Sequence, residues 1–317
     1  MKLLLIFSHL FIFIAQSFSK EELNLYSARQ EVLMRPLIKL FEDEYKINVN
    51  IVSAKANQLI NRIVQEGEFT NADILLTTDV GRLHIAKEKN IFQKIDSTAL
   101  TNLVPSNYRD TDNYWFGVSL RARLLVYNRN SINKSDLNGY IDLAKEKWKK
   151  KILVRSSSNV YNQSLISAMV IKYGEEEVKK FLKGFITNFA RKPSGGDRDQ
   201  IRAVAAGEGD LALVNSYYFL KMKSQDNEKK LENVVEYFPK DNFMQTHINI
   251  SGAGIIKNSK NKENAIKFLE FLVSNKAQQI YAEVNFEYPI RKNIELNRFM
   301  KKYNNFTKDN INLSDLA

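Results

Sequence analysis

Residues Tyr114–Tyr127 read YWFGVSLRARLLVY. The run is rich in aromatic and branched aliphatic residues and has no cap or breaker at its centre, so it predicts a strand. It is also longer than the strands around it, long enough to leave one domain and enter another. Upstream, Leu23–Tyr26 (LNLY) predicts a short strand. A helix follows with Leu33, Leu37, Ile38, Leu40 and Phe41 at helical spacing. Ile47–Val52 alternates apolar and polar, and a helix carrying Leu59, Ile60, Ile63 and Val64 stops at Gly67. Ala72–Thr77 is a fully apolar strand, and His84 falls in the next helix.

Downstream the alternation resumes. Lys151–Arg155 is a strand, Gln163–Lys172, Glu175–Phe185 and Gln200–Ala206 are helices, and Asp210–Val214 is a strand. Thr246–Lys257 (THINISGAGIIK) is a second long strand, followed by helices over Lys262–Val273 and Lys276–Glu283. Strands alternating with helices build doubly wound α/β sheets. The expectation is therefore an α/β protein of two lobes joined by two crossing strands, with an ordered hinge. The N-terminal lobe is assigned residues 20–118 plus 246–285. The C-terminal lobe is assigned 119–245 plus 286–317.

The 317 residues contain no cysteine and three histidines. Disulfides, thiolate metal sites and cysteine nucleophiles are excluded. The net charge of +11 comes from scattered Lys and Arg without a basic stripe interleaved with aromatics, so no nucleic-acid partner is implied. Met1–Ser19 has a basic start at Lys2, an apolar run from Leu3 to Ile14 and small residues at Ser17 and Ser19. That is the pattern of a secretory signal peptide, with cleavage expected after Ser19. The apolar run is too short to span a bilayer. An exported, non-spanning protein built without disulfides is the expectation.

Phosphate-loop, dinucleotide-binding, zinc-protease and nucleophile-elbow motifs are all absent from the sequence. Tyrosines instead stand where strands end. Tyr161 follows the polar turn Arg155–Asn159, and Tyr217 and Tyr218 follow Asn215-Ser216, with Ser216 a plausible helix N-cap. Ligands of open α/β sheets bind at the carboxyl ends of strands. Adjacent tyrosines on one helical turn point about 100° apart, so one of the pair is expected in the core and the other exposed.

At this point the chain resembles the periplasmic ferric-ion-binding proteins of bacterial ABC iron importers. The resemblance is carried by LNLYSARQ (Leu23–Gln30), ADILLTTDVGRL (Ala72–Leu83) and WFGVSLRARLLVYN (Trp115–Asn128). RSSSNVYNQSL (Arg155–Leu165), NSYYF (Asn215–Phe219), THINISGAG (Thr246–Gly254) and AQQIYAEVNFEYP (Ala277–Pro289) extend it through almost the whole mature chain. It implies a type II bilobal binding-protein fold that closes over one Fe³⁺ and passes it to an inner-membrane ABC permease. It also implies that Tyr161, Tyr217 and Tyr218 are phenolate ligands. Some members carry His-Tyr after the YSxR segment, whereas Gln30-Glu31 stands here. The chain is similar to the branch in which a synergistic carbonate completes the coordination. Arg29 and Gln30 would hold that anion, with Arg121 as a second cation. Thr78 replaces an acidic ligand of other members, and Glu31 is a weaker alternative ligand.

On this reading the protein is not an enzyme. Two other readings are kept open. One is a binding protein for an oxyanion or small carboxylate without metal, using Arg29 and Arg121. The other is an exported acid/base enzyme using Asp79 or Glu31 with a tyrosine. The polar tail after Phe306 is given no function.

Overall fold

The computed structural model describes residues 21–316; the expected signal peptide and its cleavage after Ser19 lie outside the described residues. Eight strands form one continuous curled sheet. They are β1 (Glu22–Ser27), β2 (Asn48–Ser53), β3 (Ile74–Thr77), β4 (Phe116–Asn128), β5 (Ile152–Leu153), β6 (Leu211–Asn215), β7 (Val234–Tyr237) and β8 (Ile248–Ile255). The order is β2-β1-β3-β8-β4-β6-β5, with β7 beside β4. Eleven α-helices surround it: α1 (Glu31–Tyr45), α2 (Ala56–Glu66), α3 (Val80–Glu88), α4 (Thr98–Leu103), α5 (Val160–Tyr173) and α6 (Glu175–Thr187), then α7 (Asp197–Ala205), α8 (Ser216–Ser224), α9 (Lys262–Leu272), α10 (Asn275–Glu283) and α11 (Arg298–Lys301).

The stretch read first from the sequence is the pivot. Residues Phe116–Ala122 of β4 pair antiparallel with β8, and Arg123–Tyr127 pair with β6. The same strand thus serves two lobes, changing partner between Ala122 and Arg123. A shift of register between Gly117 and Ser119 bends it as it crosses. β8 does the reciprocal job, pairing with β3 through Gly252–Ile255 and with β4 through Ile248–Ala253. Both crossing strands are buried along nearly their full length, which accounts for their mostly apolar residues and leaves Arg121, Arg123 and Ser251 as buried polar groups on them. A Cβ on Gly252 would sit 2.9 Å from the carbonyl oxygen of Phe116, so glycine lets the two strands approach.

In the first lobe, β1 pairs in parallel with β2 and β3 through helical crossovers. α1 buries Leu33, Leu37, Ile38 and Phe41, and Gly67 ends α2 at φ 55°, where glycine carries no steric cost. In the second lobe, β5 and β6 are parallel and α5–α8 cover them. The tail packs rather than trailing. Phe306 stacks on Phe238 at 4.1 Å, and Leu313–Leu316 form a buried turn of 3₁₀ helix. α5 begins at Val160 and α7 at Asp197, three residues before the starts expected from apolar spacing. The first turn of α7 is polar, and that of α5 carries Val160 and Tyr161 ahead of the polar pair Asn162-Gln163, so the apolar period reports helix interiors better than their starts.

Candidate metal-binding cleft

Tyr161, Tyr217 and Tyr218 gather on one wall of the second lobe, near enough to act on one another electrostatically, and Tyr218 lines the space between the lobes with Gln30. Tyr161 sits on the first turn of α5, where the Asn159 side chain accepts from the Tyr161 N–H at 3.2 Å. β6 runs directly into α8, which puts Tyr217 and Tyr218 on that helix's first turn. Ser216 is not the N-cap expected from sequence. It is the first helical residue, and its hydroxyl accepts from the Ala122 N–H at 3.1 Å, tying α8 to β4 at the strand's change of partner. The expected split of the tyrosine pair also fails. Both are buried, 5% and 9% exposed, with ring centroids 3.9 Å apart. α8 is packed against β4, β6, α7 and α11, and the two rings lie against each other, so neither face of the first turn is left to water.

Burial pushes the Tyr217 phenol well above its usual pKa, and the neighbouring Tyr161 and Tyr218 add to the shift while Arg121 opposes it. Tyr218 is pushed up to about 12, chiefly by burial and then by Tyr161. Guanidinium groups ring the three phenols. Arg121 and Arg155 lie 5.7 and 5.6 Å from the Tyr161 ring centroid, and Arg198 lies 4.9 Å from that of Tyr218. Asp197, fully buried, balances part of this charge at 3.5 Å from Arg155 and 3.6 Å from Arg123.

Gln30 faces this wall from the other lobe. It precedes α1, is exposed, and lines a cleft of about 430 Å³ with Arg155, Arg198, Arg202 and Tyr218. Arg29 lies deeper. Its guanidinium grips the Glu287 carboxylate at 2.7 and 3.0 Å and donates to Ser251 at 2.7 Å. Burial alone would lower the Arg29 pKa, but Glu287 carries it above its ordinary value. Glu287 is likewise held low by Arg29 and Arg121 against the opposing effect of burial. Arg121 donates to Ser251 at 2.7 Å and to the Thr78 carbonyl at 2.5 Å. Arg29 and Arg121 thus meet on one serine between the crossing strands. The sequence reading named both arginines but not the carboxylate that pairs with Arg29.

The remaining candidates stand elsewhere. Glu31 pairs with Arg35 on the exposed face of α1. Asp79 caps α3, accepting from the Gly81 N–H at 2.8 Å, and burial pushes its carboxyl up to about 6. His84 is a helix-surface residue. His247 is buried against Ser164, 3.1 Å from its hydroxyl. Among the described residues, no group of three or more His, Cys, Asp or Glu side chains could hold a metal ion. No described helix is long and apolar enough to cross a membrane. Glu287, Ser251, Asp197 and Arg198 belong to the site and were missed. The runs that hold Glu287 and Ser251 belong to the family resemblance, but nothing local marks these two side chains themselves, since their partners stand far along the chain.

Two α/β lobes, two crossing strands and a polar cleft at the strand ends define a bilobal solute-binding protein. The profile of the bacterial extracellular solute-binding proteins matches residues 69–310. Iron uptake protein A1 of Synechocystis sp. is 42% identical over 94% of this chain and 84% of its own. The structure of apo ferric ion-binding protein A of Pasteurella haemolytica superimposes with a TM-score of 0.88 at 43% identity, covering 93% of both chains. FutA (IdiA) of Trichodesmium, solved with iron and citrate ligands, gives 0.87 at 44% identity over 93% of this chain and 94% of that one. The chain belongs to the bacterial extracellular solute-binding protein family, among the periplasmic ferric-ion-binding proteins of ABC iron transport.

Proposed function

We propose that this protein captures Fe³⁺ between its lobes through the phenolates of Tyr161, Tyr217 and Tyr218, with carbonate as a synergistic anion, and delivers the ion to an inner-membrane ABC permease. The observation that carries this reading is the gathering of three phenols on one wall, with guanidinium groups as their charged neighbours. Ferric iron is a hard cation that favours anionic oxygen. A phenol whose pKa is raised by burial ionises only when a metal takes the place of its proton, so binding releases protons. Three phenolates balance the ferric charge and leave positions for the anion.

Gln30 and Arg121 would hold that anion directly. Arg29 would contribute from its ion pair with Glu287, as a fixed positive charge beneath the cleft. The moving bodies would be residues 20–118 plus 246–285 and residues 119–245 plus 286–317, turning about β4 and β8. The protein would act as a monomer, exported by its leader and without catalytic activity. The relatives' printed names and the bound iron of one solved neighbour support the metal over the metal-free oxyanion reading.

A ferric titration of the apo mature chain, with and without bicarbonate, tests this. The expected result is a visible phenolate-to-iron charge-transfer band that intensifies with bicarbonate, with protons released as it grows. A band indifferent to bicarbonate removes the carbonate. No band removes the ferric reading and leaves the oxyanion one.

A further inference from the structure

A second cavity, which shares only Arg155 with the interlobe cleft, opens in the C-terminal lobe between α5, α6 and the turn after β5. Its volume is about 430 Å³, within the range of small-molecule sites. Most of its wall is apolar: Leu165, Phe181, Phe185, Phe189 and Leu213. The rings are ordered, Phe181 stacked on Phe185 at 4.9 Å and Phe189 edge-on to Phe185 at 4.9 Å. A water needs two to four polar partners, and this wall offers none to a water deep inside. At one end the lining turns polar, with Arg155, Ser156, Ser157, Asn162 and Lys192. Two cations and no carboxylate line the cavity. Arg155 shares Asp197 with Arg123 beyond the wall, and among the described residues Lys192 has no ion-pair partner. Ile186, 60% exposed, stands at the edge.

We propose that this cavity binds an amphipathic monocarboxylate, its apolar body among the phenylalanines and its carboxylate at Lys192 and Arg155. The charge pattern selects the class: an apolar chamber closed at one end by Lys192, which has no ion-pair partner among the described residues, and by Arg155, which shares Asp197 with Arg123, suits a ligand with one anionic head. None of the three tyrosines lines the chamber, and Arg155 is the one residue it shares with the interlobe cleft.

The test is calorimetric titration of sodium decanoate into the mature chain, with displacement of 1-anilinonaphthalene-8-sulfonate as a second readout. One saturable site is expected, with octanoate weaker by about tenfold for its two missing methylenes, and no displacement by acetate. Ile166→Trp fills the chamber from its rim and should abolish decanoate binding while leaving the ferric band intact. Lys192→Glu should weaken decanoate by about threefold or more with the fold unchanged, and decides the matter if the tryptophan variant does not fold. Absence of saturable decanoate binding overturns the proposal. So does affinity unchanged in both variants, or acetate competing as well as decanoate, which would place the carboxylate in the interlobe cleft.

Discussion

The hinge and the cleft wall lie side by side and treat charge in opposite ways. Beneath the crossing strands, Arg29 is paired with Glu287, and Ser251 accepts from both Arg29 and Arg121. Each partner holds the other in its charged form. On the wall above, Tyr161, Tyr217 and Tyr218 crowd together with raised pKa values for the adjacent pair and arginines around them. At the hinge the Arg29–Glu287 pair is settled within the chain. On the proposed binding wall the buried phenols keep their protons until a cation displaces them.

The comparison breaks most sharply at Glu287. Removing one partner of a buried pair leaves an uncompensated charge, so Glu287→Ala should lose about 3–5 kcal/mol of stability, read by urea unfolding of the apo protein. A loss within the range of surface substitutions would show that Arg29 finds other compensation and that the hinge is not settled as described. His247 sharpens the same side. Burial, with Arg123 nearby, depresses its pKa to about 3. The unfolded chain therefore takes up a proton near pH 6.5 that the fold refuses. That part of the stability is intact above pH 6.5 and declines as pH falls toward 3. At pH 4 the penalty is about 3 kcal/mol, and His247→Gln should flatten the pH dependence of unfolding over that window. An unchanged slope would place the acid sensitivity in other groups.

On the wall, Tyr217→Phe with Tyr218→Phe should cost ferric affinity more than about 100-fold and abolish most of the charge-transfer band, with the circular dichroism spectrum retained. Equal affinity in the variant would remove the phenols as ligands. The smallest effect belongs to Gln30, which offers one neutral hydrogen bond. Gln30→Ala should raise the bicarbonate concentration needed for half-maximal band intensity by about fivefold, equivalent to roughly 1 kcal/mol. No change would move the anion toward Arg121 alone.

Much of the fold is written locally. The run Tyr114–Tyr127, rich in aromatic and branched residues, predicts a long strand without reference to anything distant, and so does Thr246–Lys257. The helical period of Leu33, Leu37, Ile38 and Phe41 likewise needs only its own segment. The tyrosines were legible because they follow strands, and strand ends are where such sheets bind. Side-chain burial was less so. A helix in isolation gives Tyr217 and Tyr218 different faces, and only the packing of α8 against β4, β6, α7 and α11 makes both interior. The N-cap at Ser216 failed for a related reason. A serine at a helix start has two uses for its hydroxyl, and the nearness of β4 decides that it accepts from Ala122.

By itself, then, the sequence determined the alternation of elements, the two strands that cross, and the residue types available to a hard cation. Periodicity and propensity act over a few residues, so they survive in the one-dimensional record. Only the tertiary structure decided the pairing of Arg29 with Glu287, 258 residues apart, and the meeting of Arg29 and Arg121 on Ser251. Coulombic partners are chosen by distance in space, and in a chain that crosses twice between lobes, distance in space bears no simple relation to distance along the sequence.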